Sequence, residues 1–178
     1  MILTAKKILD EINRKSILIE PFREDCLGPN SYDIHLGRFM ITYTDRILDA
    51  KERNNVEEIT IPPEGYLLQP STVYLGVSEE YIETHRHVPV LKGISSVTRL
   101  GISVNASSGI GSIGHRNTWT MEITVVQPVR VYHGMPVAQL IFFEVSGEID
   151  ISYHKMKNAK YVSRSLRPVE SMMWKNKF

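Results

Sequence analysis

The stretch "GPNSYDIHLG", Gly28 to Gly37, decides how the rest of the chain is read. Gly28 and Pro29 are turn signals, and after them Tyr32, Ile34 and Leu36 alternate with Ser31, Asp33 and His35. A period of two belongs to a strand with one face in a core, because successive side chains leave a pleated backbone on opposite sides. "SILIEPF" upstream reads as a short strand closed by Pro21, and "FMITYTDRILD" downstream continues in strand character. "AKERNNVEEI" is the most polar stretch and reads as an exposed hairpin loop. From Ile59 onward Pro and Gly recur at short intervals, separated by runs rich in Val, Ile, Tyr, Thr and Leu. Strands at such spacing predict an all-β barrel or jelly roll. One helix is expected, from about Ala5 to Asn13, with Thr4 as its N-cap and Ile8, Leu9 and Ile12 on one face.

Composition narrows the classes of function. The 178 residues suit a single domain, 42% hydrophobic and 23% charged, as in an ordinary soluble globule. Lys and Arg total 21 against 20 Asp and Glu, so charge argues for neither a nucleic-acid binder nor a membrane-surface protein. Cys26 is the single cysteine, which rules out an internal disulfide. "MILTAKKILDEINRKS" has neither a long apolar run nor a small-residue cleavage site, so a cytoplasmic protein is expected. The tail from about Ser163 to Phe178 is basic and loosely patterned, and is expected to be mobile.

Three stretches carry candidate chemistry. In "KGISSVTRLGISVN" (Lys92 to Asn105), Ser95, Ser96 and Arg99 sit inside what reads as a buried β segment, where each needs a partner. In "TWTMEITVV" (Thr118 to Val126), Glu122 interrupts an apolar run; it reads either as a working carboxylate or as the partner of an arginine. "SSGIGSIG" (Ser107 to Gly114) has three glycines, at 109, 111 and 114, and reads either as a wide turn or as a loop that lets backbone approach a ligand. No Lys-Ser or Lys-Thr follows a glycine loop into a helix, so this is not a Walker-type phosphate loop. Six histidines are present, but there is no Cys-x-x-Cys and no His-x-Glu followed by a cysteine pair, so no zinc centre is expected.

"SSVTRLG", the glycine loop and "MEI", with Glu122 twenty-three residues after Arg99, together resemble the dCTP deaminase branch of the dUTPase superfamily. The resemblance extends through "PNSYDIHLG", "PPEGYLLQP", "GMPVAQLIFFEVSGE" and "NAKY", in order along nearly the whole chain. It implies a distorted jelly-roll or β-barrel of the dUTPase-like (β-clip) type, assembled as a homotrimer with active sites between subunits. It implies zinc-independent, hydrolytic deamination of dCTP, catalysed by Ser95, Arg99 and Glu122. Glu122 would take a proton from a water that attacks C4 of cytosine, and would pass it on to the ring and the leaving amine. Ser95 and Arg99 would hold that water and the pyrimidine edge. Ser96, Ser108, Gly109, Gln139, Tyr153, Lys160 and Arg164 match substrate-binding positions. The nucleotide triphosphate would arrive with Mg²⁺, held through phosphate oxygens and water, with no protein metal ligands.

The departures from the family pattern bear on the product. Ile94 stands where the family usually has Arg or Lys, Ser112 where it has an Asp, and Arg164 where it has a glutamine. Lys92 and Arg164 are candidates to replace the charge absent at Ile94. The first expectation is a dCTP deaminase releasing dUTP and ammonia. The alternatives are a dUTPase or a bifunctional enzyme taking dCTP to dUMP and diphosphate, and a non-catalytic nucleotide-binding relative.

Overall fold

The computed structural model describes residues 1–105 and 109–177. The expected helix is present as α1 (Ala5–Asn13), with the Thr4 side chain accepting from Lys7 N. The strands are β1 (Ile17–Glu20), β2 (Tyr32–Tyr43), β3 (Val56–Thr60), β4 (Tyr66–Leu68), β5 (Tyr74–Thr84), β6 (His87–Gly93), β7 (Ile102–Asn105), β8 (Arg116–Val125), β9 (Val129–Val131) and β10 (Pro136–Glu144). A second, five-residue helix, α2 (Ser95–Arg99), links β6 to β7. Tyr32, Ile34 and Leu36 are fully buried, as their alternation predicts.

The main sheet runs β6-β10-β2-β5-β8-β7, with β1 on one part of β5 and β3 on one part of β2; β4 and β9 form a separate ribbon. All the pairings are antiparallel. The two ends of the path meet. A Cβ placed on Gly93 of β6 would lie 3.6 Å from Val104 Cβ of β7, so the sheet curls into a nearly closed barrel. The fold is therefore mostly β and barrel-like, as expected.

The curl has a local cause in β5. Its pairing shifts register against β2 between Leu36 and Met40, and against β8 between Val77 and Tyr81. In that irregular stretch Ser78 Oγ donates to Glu80 O at 2.7 Å and accepts from Trp119 N at 2.8 Å. The Glu80 carboxylate has no exposure; it accepts from His35 N at 3.0 Å, from His35 Nδ1 at 2.7 Å and from Arg23 Nη2 at 2.9 Å. Such an irregularity sharpens the local twist and bends the strand. It also corrects the outward reading of His35, which is buried because Glu80 reaches across to receive it.

The segment containing Ser95, Ser96 and Arg99 is not a buried strand. A helical turn needs only one residue in contact with the core: Val97 is buried while Ser95, Ser96, Thr98 and Arg99 face outward. The cost of burying those polar groups is thereby avoided. Thr98 Oγ1 donates back to Ile94 O at 3.2 Å, and the turn ends where Gly101, at φ +78°, donates its N–H to Thr98 O.

The tail lies along the outside of the barrel. Asn117 Nδ2 donates to Ser163 O, Thr118 Oγ1 to Ser165 O, and Val169 N to Thr120 Oγ1. Arg164 stacks over Tyr81 and Arg167 over Phe39, each 4.2 Å from the ring centroid.

Gly101→Ala tests the turn that ends α2. A left-handed φ costs a non-glycine residue roughly 1–2 kcal/mol, so the unfolding free energy should fall by about that amount, read as a lower urea midpoint with an unchanged slope. An unchanged midpoint would mean that the Gly101 backbone relaxes freely.

Candidate active site

The barrel sorts the candidate residues into two groups on its outer surface. β8 turns Trp119, Met121, Ile123 and Val125 to the core, so Glu122 lies on the opposite face with Thr120 and Thr124. Glu122 is half-buried, flanked across the sheet by Leu75 of β5 and Asn105 of β7. It does not stand in a wholly apolar strand, as the residue run suggested. The alternation of β8 places it outside the core. Asn105 was not singled out in the sequence, and only the β7–β8 register reveals it.

The second group follows β6. Gln139 of β10 sits between Asp33 of β2 and Lys92 of β6, and its Oε1 accepts from Ser31 Oγ at 3.3 Å. Partial burial pushes the Asp33 carboxyl up, with His35 opposing. Beyond Lys92 the chain enters α2, bringing Ser95, Ser96 and Arg99 to the surface as exposed side chains. Ile94 is partly buried and packs on the core, so this departure has a structural role in its own chain.

The glycine loop joins the two groups. Gly109 lies against β6, where an added Cβ would come within 3.4 Å of Lys92 Nζ. Gly111 donates its N–H to Pro89 O at 2.7 Å, and a Cβ there would meet Trp119 at 2.6 Å and Pro89 at 2.7 Å. Close packing on β6 therefore accounts for Gly111. Ser112 is exposed, and its carbonyl accepts from His115 N. Ser108 lies outside the described residues.

Tyr153, Lys160 and Arg164 are held by their own chain and away from Glu122's hydrogen-bond reach. The Tyr153 hydroxyl accepts from Lys160 N at 3.3 Å and Tyr161 N at 3.2 Å; Lys160 Nζ donates to Asn176 Oδ1; Arg164 pairs with Glu20 at 3.8 Å. Lys92 is thus on the rim of α2, while Arg164 is engaged on Tyr81. Among the described residues no hydrogen bond or ion pair joins Ser95, Ser96 or Arg99 to Glu122. The Arg99–Glu122 pair expected from the residue types is not formed within one chain.

His35, Glu79 and Glu80 form the one tight His/Asp/Glu/Cys group of three among the described residues. Arg23 Nη2 already bridges Glu79, at 3.1 Å, and Glu80, at 2.9 Å, so the carboxylate charge is met by a guanidinium. No helix of the described residues is long and apolar enough to cross a membrane.

Comparison with known proteins shows the family and the fold. The family model described as dCTP deaminase-like covers residues 2–145. The chain is 38% identical over 177 residues to "dCTP deaminase, dUMP-forming" of Clostridium acetobutylicum, covering 99% of this chain and 98% of that one. It is 41% identical, with the same coverage, to the protein of that name in Leptospira biflexa serovar Patoc. Among solved structures, the 2'-deoxycytidine 5'-triphosphate deaminase from Agrobacterium tumefaciens superposes with a TM-score of 0.63 at 20% identity. That superposition covers 79% of this chain and 47% of the longer one, and it supports the fold alone. The chain belongs to the dCTP deaminase-like family.

The loop that joins the two groups has a pH-sensitive anchor. His115 stacks on Trp119 at 4.4 Å between centroids, and its Nε2–H donates to Asn117 O at 3.1 Å. Burial pushes the imidazole down to about 4, with the bond to Asn117 opposing. The unfolded chain therefore takes up a proton that the folded one refuses. This contribution is complete above the ordinary histidine value and is lost as pH falls from about 6.5 to about 4. Comparing thermal unfolding of the native chain and His115→Phe across that interval should reveal a difference in pH dependence of about 1–3 kcal/mol. Parallel curves would remove His115 from the account.

Proposed function

We propose that the protein hydrolyses dCTP to ammonia, dUMP and diphosphate. The observation that carries this reading is the near-complete alignment, at 38% and 41% identity, with relatives named as dUMP-forming dCTP deaminases. It replaces the first expectation, that dUTP is the released product. Two hydrolyses balance the reaction. Water displaces the 4-amino group of cytosine as ammonia, and a second water cleaves between the α- and β-phosphates to leave dUMP and diphosphate.

In this reading Glu122 is the general base and acid at C4. Its place on the outer face leaves the carboxylate within reach of a bound base, which a core position would not. Ser95 and Arg99 hold the attacking water and the pyrimidine edge. Ser96, Gly109 and Gln139 line the path of the sugar and phosphates, with Lys92 adding a cation beside Gly109, and Ser108 is assigned to the same task from its motif alone. Tyr153, Lys160 and Arg164 belong to the segment after β10 that closes over the nucleotide, which enters with its own Mg²⁺. Because, among the described residues, no bond joins α2 to Glu122 within one chain, the site is completed when α2 of one copy faces Glu122 of another, in a homotrimer. A monomeric mass by light scattering of an active preparation would defeat that assembly.

Ile94 and Ser112 favour a second reading, in which the nucleotide binds without turnover. Incubation with dCTP and Mg²⁺, with ammonia, dUMP and diphosphate all measured, separates the two. Ammonia and diphosphate in equal amounts are expected. Ammonia with dUTP would restrict the protein to deamination, and no product despite saturable binding would make it a nucleotide binder.

Glu122→Gln tests the base. The amide keeps size and hydrogen bonding but accepts no proton, so deamination should fall by ~10² to 10⁴, the usual worth of a positioned acid–base group. Unfolding temperature and dCTP affinity should hold. A destabilised variant that keeps its turnover would make Glu122 a structural residue.

A further inference from the structure

A cleft lies at the opposite end of β5 from Glu122. Glu122 pairs with Leu75 near the start of that strand, whereas the cleft adjoins the β5–β6 turn beyond Thr84, nine residues on and so roughly 25–30 Å along the strand. Its volume is about 570 Å³, within the usual range of a small-molecule site. The end of α1, the β5–β6 turn and the end of β10 line it.

The lining is cationic and only partly neutralised. Lys7 and Arg14 are engaged with Glu11 at 2.9 Å and 3.3 Å, and the Met1 amine stands 4.0 Å from Glu144. Lys15 and Arg86, both exposed on the rim, have no ion-pair or side-chain hydrogen-bond partner among the described residues. Lys15 leaves α1 at φ +58°, a left-handed position that usually goes to glycine. The floor supplies the independent sign of a ligand. His87 has only 7% of its side chain exposed; its Nε2 lies 4.0 Å from Glu11, and its Nδ1 has no partner. A buried polar atom left unpaired costs free energy that a ligand can recover.

We propose that this cleft binds a phosphoryl oxyanion of diphosphate size, held by Lys15 and Arg86 at the rim and by His87 Nδ1–H at the floor. With Nε2 turned toward Glu11, a neutral His87 presents Nδ1 as a bare acceptor, so anion binding brings a proton with it. Burial lowers the pKa of His87; Glu11 of α1 and Glu144 of β10 oppose that, and Lys7 and Arg86 add to it. A bound anion acts in the same sense as the two carboxylates and raises the value. Affinity therefore increases as pH falls. The ligand gains negative charge as pH rises, so this direction reports the protein's own titration. The proposal does not depend on the reaction assigned to Glu122.

The test is a titration of the full chain with sodium diphosphate at pH 6 and pH 8, followed through the imidazole resonances of the six histidines. The His87 signal should move saturably, at least ~10-fold tighter at pH 6, as the gain of a charge-assisted bond implies. Its own titration should shift upward when diphosphate is present. Lys15→Ala with Arg86→Ala should abolish the His87 response without lowering the unfolding temperature, since both side chains are exposed and unpaired. A His87 signal that stays still, or that responds equally in the double variant, would overturn the site. A response confined to His115 or His154 would instead place diphosphate elsewhere on the protein and would also overturn it. Binding near Glu122 leaves the His87 signal unmoved, so the two sites cannot be confused.

Discussion

A carboxylate with no exposure bends this barrel. Glu80 sits where β5 slips register against both of its neighbours, and its oxygens are taken up by the His35 backbone, the His35 ring and Arg23. An ionised group cannot be left unpaired at that depth; removing one partner of such a set typically costs about 3–5 kcal/mol. The irregular stretch is thereby fixed to one geometry, with Ser78 bridging to Trp119 of β8 on the other side. What the bend achieves is closure. It brings the β6 and β7 ends of the path within packing distance, and α2 is the short connection that spans them.

Closure in turn assigns each candidate residue to a surface. Since the barrel interior is filled by Trp119, Met121 and Ile123, the side chains that alternate with them on β8, Glu122 among them, face away from the core. The same logic puts Gln139 and Lys92 side by side on β10 and β6. The glycine loop, held to β6 through Pro89 and to β8 through Trp119, ties the two groups together. Of the polar groups in the motif stretches, Lys92, Ser95, Ser96 and Arg99 are exposed and Glu122 and Gln139 half-buried, whereas Ser31 and His35 are buried.

Much of the fold was legible in the residues. The alternation from Tyr32 to Leu36, the Thr4 cap and the closing Pro21 each act within a few residues, and each marks a real element. The motif stretches likewise pointed to the family before any geometry was known. What failed was long-range. "SSVTRLG" has strand-like residues, but burying Ser95, Ser96 and Arg99 would have stranded their polar groups, so the chain takes a helical turn that buries Val97 alone. His35 reads as an outward residue until Glu80, forty-five positions later, is brought against it. Asn105 became visible as a neighbour of Glu122 only through strand register, which no local pattern encodes.

The position of β10 has a consequence for how the molecule is made. This strand is the last of the sheet to leave the ribosome, yet it lies inside the path rather than at its edge, hydrogen-bonded to β2 on one side and to the terminal β6 on the other. Until residues 136–144 are available, both edges stand open, and the early strands have no means of completing their ladder. The β1, β2, β3, β5, β7 and β8 ladders can form without it, but the joining of β6 to β2 waits for this strand. Topologies dominated by such distant pairings fold slowly and expose unpaired strands while they do so. A nascent chain of this protein halted before β10 exposes the unpaired edges of β2 and β6 and is thus a natural client for holding chaperones.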